Sequence, residues 1–191
     1  AYRHEAGIGI LSLHYTEPEL DAPITEVFGK NVTFKGMRHY YEREVAGDSL
    51  QTVSPEGFVL RPVDARLLSE ERLANLDDLR YEMCSERPYV QDFLDRSFGV
   101  CLVKDDELGG WCLSEYNLGD RCEVGIEVVD GHRRKGLGVL LASAFMRRAS
   151  AHEVRRVGWH CWAFNDASNA TAASAGFTHS LDYQSCILRF E

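Results

Sequence analysis

The chain has 191 residues, of which 45% are hydrophobic and 27% charged, and its formal net charge is −9. That length supports one well-formed core with a small appendage. No apolar run reaches the roughly 18 residues that span a bilayer, and the acidic balance argues against a nucleic-acid partner.

In chain order, residues 1–57 are the hardest to read. Strand-like composition over 8–13, 27–34 and 37–45 is broken by turn residues at Glu17-Pro18, Ala22-Pro23, Gly29-Lys30-Asn31 and Gly47-Asp48. The expectation is a small strand-rich N-terminal segment (1–57) packed on a larger domain (58–191). Ser54-Pro55-Glu56-Gly57 forms the joint. A strand over 58–63 follows, with Pro62 at its end or edge. The acidic start and leucine spacing of 69–80 predict a helix, and 89–97 a second, shorter one. Strands over 100–104 and 111–116 read as a hairpin, and a third strand runs over 122–129. A helix begins near Gly138, with Leu137, Leu141, Ala144 and Phe145 on its buried face. Val157 to Phe164 reads as a strand, Asn165 to Gly176 as a capped alanine-rich helix, and Ser185 to Phe190 as the closing strand.

Six cysteines (84, 101, 112, 122, 161 and 186) include no Cys-x-x-Cys pair. No basic-then-apolar stretch suggests export, so they read as reduced thiols of a cytoplasmic protein. No metal site is expected, because the close pair His160-Cys161 lacks partners at ligand spacing.

The segment between the 122–129 strand and the long helix carries the chemistry. It runs Val128-Val129-Asp130-Gly131-His132-Arg133-Arg134-Lys135-Gly136-Leu137-Gly138. Free N–H groups of Gly136, Leu137 and Gly138 at a helix start, with the helix dipole behind them, suit a phosphate. The two glycines allow close approach, and Arg133, Arg134 and Lys135 add positive charge. A Walker loop needs Gly-Lys-Ser/Thr and a dinucleotide fold needs a third glycine; neither is present.

Arg133-x-x-Gly136-x-Gly138 resembles the acyl-CoA-binding motif of the Gcn5-related N-acetyltransferase (GNAT) superfamily. Glu123-Val124-Gly125-Ile126 resembles the strand before that loop, and Asn165 with Gly176-Phe177 resembles the segment around the next helix. The resemblance implies a mixed, mostly antiparallel central sheet flanked by helices, with a splayed strand pair forming the CoA cleft. It implies acetyl-CoA as co-substrate, an amine acceptor, backbone groups of Val128 and Val129 facing the pantetheine arm, and Asn165 and Ser168 on the opposite wall. Asn165 and Ser168 read equally well as a simple helix cap. Trp111 to Ser114, Arg121 to Glu127 and Trp159 to Trp162 look like a subgroup that includes the zwittermicin A resistance acetyltransferase. A homodimer is the default assembly.

Acetyl transfer needs a base for the amine and a donor for the departing thiolate. Glu123 and Glu127 lie four apart and share a face in a regular strand; Glu123, at the Glu-x-Gly-x position, is the preferred base. The superfamily's usual acid, a tyrosine seven residues after the asparagine, is here Ala172. Tyr183, His160 or a water could replace it, although His160 reads more readily as a packed strand residue. The missing tyrosine leaves an inactive acyl-CoA-binding module as the alternative, and protein or longer-chain acylation as a third.

Overall fold

The computed structural model describes residues 9–45 and 55–190. The expected turn at Gly47-Asp48 and the start of the joint at Ser54 lie outside them. The elements are β1 (Ile10–Tyr15), α1 (Asp21–Phe28), β2 (Val32–Glu44), β3 (Val59–Pro62), α2 (Ala65–Leu68), α3 (Leu76–Met83) and α4 (Val90–Arg96), then β4 (Gly99–Lys104), β5 (Glu107–Leu118), β6 (Arg121–Val128), α5 (Leu137–Ala151), β7 (Arg156–Trp162), α6 (Asp166–Ser174) and β8 (Thr178–Arg189). Their strands form one eight-stranded sheet in the order β1-β8-β2-β7-β6-β5-β4-β3. Every neighbouring pair is antiparallel except β6 and β7.

Strand alternation builds two cores, one on each face of the sheet. On β4, Val100 and Leu102 join the cluster of Leu137, Leu141, Phe145 and Met146 from α5. Cys101 and Val103 point the other way, into a cluster with Leu67 of α2, Leu76, Leu79 and Met83 of α3 and Phe93 of α4. The buried face expected for α5 is the observed one: Leu137, Leu141, Ala144 and Phe145 are all buried.

Three expectations are corrected. The helix predicted over 69–80 starts only at Leu76, as α3; the preceding helix, α2, ends at Leu68 and is capped at its start by Asp64 Oδ1, which accepts Leu67 N at 2.9 Å. Between them the backbone of Ala74 is captured by the start of β5, with Ala74 N donating to Asp106 O at 2.8 Å and Leu108 N to Ala74 O at 3.1 Å. Strand composition over 27–34 also misled, because Val27 and Phe28 finish α1. Pro23, read as a turn, sits in that helix's first turn, where a missing N–H costs nothing.

The third correction concerns organisation. The sheet does not divide at residue 57, because β2 lies inside it. Arg38 to Glu44 pair with Trp162 to Arg156 of β7, and β2 pairs along its other edge with β8 from Val32↔Leu188 to Glu42↔Thr178. β1 then covers the far edge of β8, Ile10↔Arg189 to Tyr15↔Gln184. Without β2, β7 and β8 would each expose a row of unpaired backbone groups.

Candidate active site

The glycine-rich segment folds into a three-residue 3-10 turn, Asp130–His132, followed by an abrupt entry into α5. Arg134 and Gly136 both take left-handed backbone, φ 61° and 74°. Such a conformation strains a side-chain-bearing residue, and Gly136 has open space where a β-carbon would be. Gly136 stands at the N-cap with no side chain to offer, and the first helical hydrogen bond runs from Leu140 N to its carbonyl at 3.2 Å. The N–H groups of the first turn therefore have no intrahelical acceptor. Leu137 anchors the entry with a buried side chain. Gly138 meets α6 closely: a β-carbon there would lie 3.0 Å from Thr171 Cγ2.

Arg133 latches the loop to β6. Its Nε donates to Val128 O at 2.8 Å, and its terminal nitrogens pair with Glu127 Oε1 at 2.7 Å and Asp130 Oδ1 at 2.8 Å. Lys135 Nζ donates to Gly131 O at 3.0 Å, and His132 Nε2 meets Glu107 Oε2 at 3.0 Å. Arg134 makes no such contact among the described residues and is exposed. The positive cluster thus splits into two loop-building residues and one cation facing solvent.

β6 and β7 pair only at Arg121↔Arg156, Cys122↔Val157 and Glu123↔Gly158. Beyond Glu123 they part, and a cleft opens toward the α5 N-terminus. Val129 N donates to Gly109 O at 3.1 Å and its carbonyl accepts His132 N at 2.8 Å, so its backbone groups are engaged within the protein. Strand alternation turns the backbone groups of Ile126, which the motif did not flag, and the N–H of Val128 to the cleft side, the Val128 carbonyl being held by Arg133. Across the cleft, Asn165 Oδ1 accepts Ser168 N at 3.1 Å as the α6 cap, and Ser168 Oγ accepts Trp159 Nε1 at 3.0 Å. Both side chains hold the wall in place; Thr171, unremarked in the sequence, approaches the loop.

Where the strands begin to part, a cavity of about 860 Å³ opens on the sheet face opposite α5, lined among others by Arg38, Tyr40, Glu115, Glu123, His160 and Tyr183. Three of the side chains form a hydrogen-bonded chain. Glu123 Oε2 lies 2.5 Å from His160 Nε2, and Tyr183 Oη lies 2.6 Å from His160 Nδ1. Tyr40 stacks on the imidazole, centroids 4.5 Å apart. Gly158 makes room for that ring, since a β-carbon would fall 2.7 Å from the Tyr40 hydroxyl. Burial pushes the Tyr183 hydroxyl up to about 12, so it keeps its proton at neutral pH. Glu115 folds over Gly125. Its carboxyl is pushed up to about 8, by burial first and then by Glu86, Glu82 and Glu123 nearby. Glu127 shares the strand face of Glu123 but is engaged by Arg133.

A mostly antiparallel sheet with one splayed parallel pair, and an uncapped helix start at the mouth of the splay, frame the candidate site. The pattern of the GNAT acetyltransferase family matches residues 5–186, and the chain belongs to that family. The match does not support the narrower likeness to the zwittermicin A resistance subgroup. Among solved structures, the chain is similar to a GCN5-related N-acetyltransferase-like protein from Streptococcus suis, with TM-score 0.69 and 17% identity over 91% of this chain and 69% of that one. It is also similar to a tandem GNAT protein from the clavulanic acid biosynthesis pathway, with TM-score 0.65 and 15% identity over 95% of this chain and 64% of that one. A GCN5-related N-acetyltransferase from Sphaerobacter thermophilus gives TM-score 0.62 and 14% identity, over 95% of this chain and 60% of that one. The chain thus spans less than two thirds of the last two, and at these identities the likeness is one of fold. No curated protein matches the chain. No helix of the described residues is long and apolar enough to cross a membrane.

Proposed function

We propose that the protein moves an acetyl group from acetyl-CoA to a primary amine of a small molecule, and that the Glu123–His160–Tyr183 chain handles the protons. The observation carrying this is the position of that chain, in a cavity at the point where β6 and β7 part. The α5 entry suits a diphosphate: a glycine with open space at its β-carbon, an uncapped first turn and an arginine-latched loop. Acetyl-CoA supplies an activated thioester carbonyl; the protein positions the acceptor and manages charge. Glu123 takes the amine proton, directly or through a water, and Tyr183 donates its hydroxyl proton to the departing thiolate. His160 touches both through its two nitrogens and passes the proton between them. The net change is one proton moved from nitrogen to sulfur, one C–N bond formed and one C–S bond broken.

Tyr183 thereby fills the role that Ala172, fully buried in α6, does not. This favours an enzyme over an inactive binding module. The six cysteines all stand as free thiols, in keeping with a cytoplasmic setting.

Two measurements test the reading. Acetyl-CoA at a hundredfold over its dissociation constant should stabilise the chain by ~2.7 kcal/mol, and Gly136→Trp should abolish the shift. Release of free CoA across a panel of amines should be seen with the wild type and be strongly reduced in Glu123→Gln. A thermal shift without turnover of any amine would return the protein to the class of binding modules. No shift at all would remove the acyl-CoA assignment.

A further inference from the structure

On the sheet face opposite the cavity, where α6 packs, His39 of β2 meets His179 and Asp182 of β8. His179 Nε2 is 2.7 Å from Asp182 Oδ1, His39 Nε2 is 3.6 Å from the same oxygen, and one donor atom from each residue can be chosen so that all lie within 4.8 Å of one another. We propose that these three side chains form a binding site for one divalent transition-metal ion of the zinc class, with solvent completing its coordination.

The backbone is shaped to assemble them. His179 and Asp182 are three apart, and in a regular strand an odd spacing sends two side chains to opposite faces. Here the register slips: Tyr40 pairs with Leu181 but Tyr41 pairs with His179, leaving Ser180 as an extra residue in β8. The bulge returns His179 to the face of Asp182, which itself pairs with His39. Bulges re-aim side chains in this way beside functional sites.

The imidazole of His39 is also held in a ligating tautomer. Asn169 places its side-chain nitrogen toward the carbonyls of Asn165, Trp162 and Ala163, at 2.9, 3.3 and 3.2 Å. Its Oδ1 is therefore the acceptor, and it takes hydrogen bonds from Tyr41 Oη at 2.8 Å and Cys161 Sγ at 3.1 Å. His39 Nδ1, 3.0 Å from that oxygen, must be the donor, which leaves the Nε2 lone pair pointed at Asp182 and His179. A histidine whose other nitrogen donates to a fixed oxygen is the usual arrangement around bound metal. The ring of His179 stands edge-on to His39, centroids 5.3 Å apart and planes at 88°, so the two can approach one ion from different directions. Two imidazoles and one carboxylate favour Zn²⁺, Co²⁺ or Ni²⁺ over Mg²⁺ or Ca²⁺. At metal–ligand distances of ~2.0–2.2 Å the three groups need only close in modestly, and His179 and Asp182 are half exposed to solvent. The ion clamps β2 to β8 and, through Asn169, to α6.

The test uses the full chain without a histidine tag. Titration calorimetry with Zn²⁺, and visible absorption with Co²⁺, should show one ion bound per chain, with no binding of Mg²⁺. His179→Ala and Asp182→Asn, both at exposed positions, should keep the wild-type circular dichroism and weaken Zn²⁺ at least tenfold. Zn²⁺ should raise the melting temperature of the wild type and not of His179→Ala. Absence of saturable binding, or one-to-one binding that neither variant weakens, overturns the proposal.

Discussion

A hydroxyl that protonates a thiolate must keep its own proton until the sulfur departs, and burial holds Tyr183 in that state. Tyr183→Phe should lower kcat by ~10²–10⁴ while leaving the KM for acetyl-CoA within about twofold; steady-state kinetics with one accepted amine decide it. An unchanged kcat would assign the acid role elsewhere. Glu115 makes a different prediction. Its carboxyl sits at about 8 in the folded protein against an ordinary 4.5, so the folded state holds a proton that the unfolded chain releases. Stability from this source is complete below pH 4.5 and disappears as pH rises through about 8. Glu115→Gln cannot ionise. Its melting temperature relative to the wild type should therefore climb between roughly pH 5 and pH 9, and a constant difference across that range would refute the assignment. Of these residues, Glu123 was legible from its motif and Tyr183 was one of three candidates. His160 was read as a packing residue because a sequence shows neither the carboxylate at one nitrogen nor the phenol at the other.

The entry into α5 is the element most fully legible in the sequence, since its chemistry is local. Left-handed backbone at Gly136 explains the glycine, and Gly136→Ala should cost ~1–2 kcal/mol in unfolding free energy and raise the KM for acetyl-CoA. Denaturant titration and kinetics read the two effects separately. Arg133 was expected to hold phosphate charge. Its three bonds to Val128, Glu127 and Asp130 brace the loop, and they engage the carboxylate of Glu127, the second candidate base. The asparagine at 165 is equally plain as a cap; Asn165→Ala should lower stability by ~0.5–2 kcal/mol, measured by thermal melting. Less legible was the stretch between 64 and 76, where a leucine period suited to a helix yields to backbone pairing of Ala74 with the start of β5. Local spacing does not record a competing strand thirty residues away.

At the scale of the whole molecule, the position of β2 decides most. A fragment of residues 58–191 would lack both β1 and β2, leaving β7 unpaired along one edge and β8 along both. It should fail to give a cooperative melt or a dispersed amide spectrum, whereas the full chain should give both. A stably folded fragment would show that β2 is dispensable. The same strand carries Arg38 and Tyr40 into the cavity and His39 to the opposite face, so both the candidate active site and the candidate metal site depend on it.

What the residues determine by themselves is local. The helix start after Gly136, the alternation that gives β4 two buried faces, and the glutamate beside the loop all rest on interactions within a few positions of one another. Tertiary structure alone brings Glu123, His160 and Tyr183 into one hydrogen-bonded chain, and His39 beside His179 and Asp182. Those contacts depend on which strands lie side by side and on one extra residue in β8, and pairing between distant strands leaves no periodic trace in the chain that forms it.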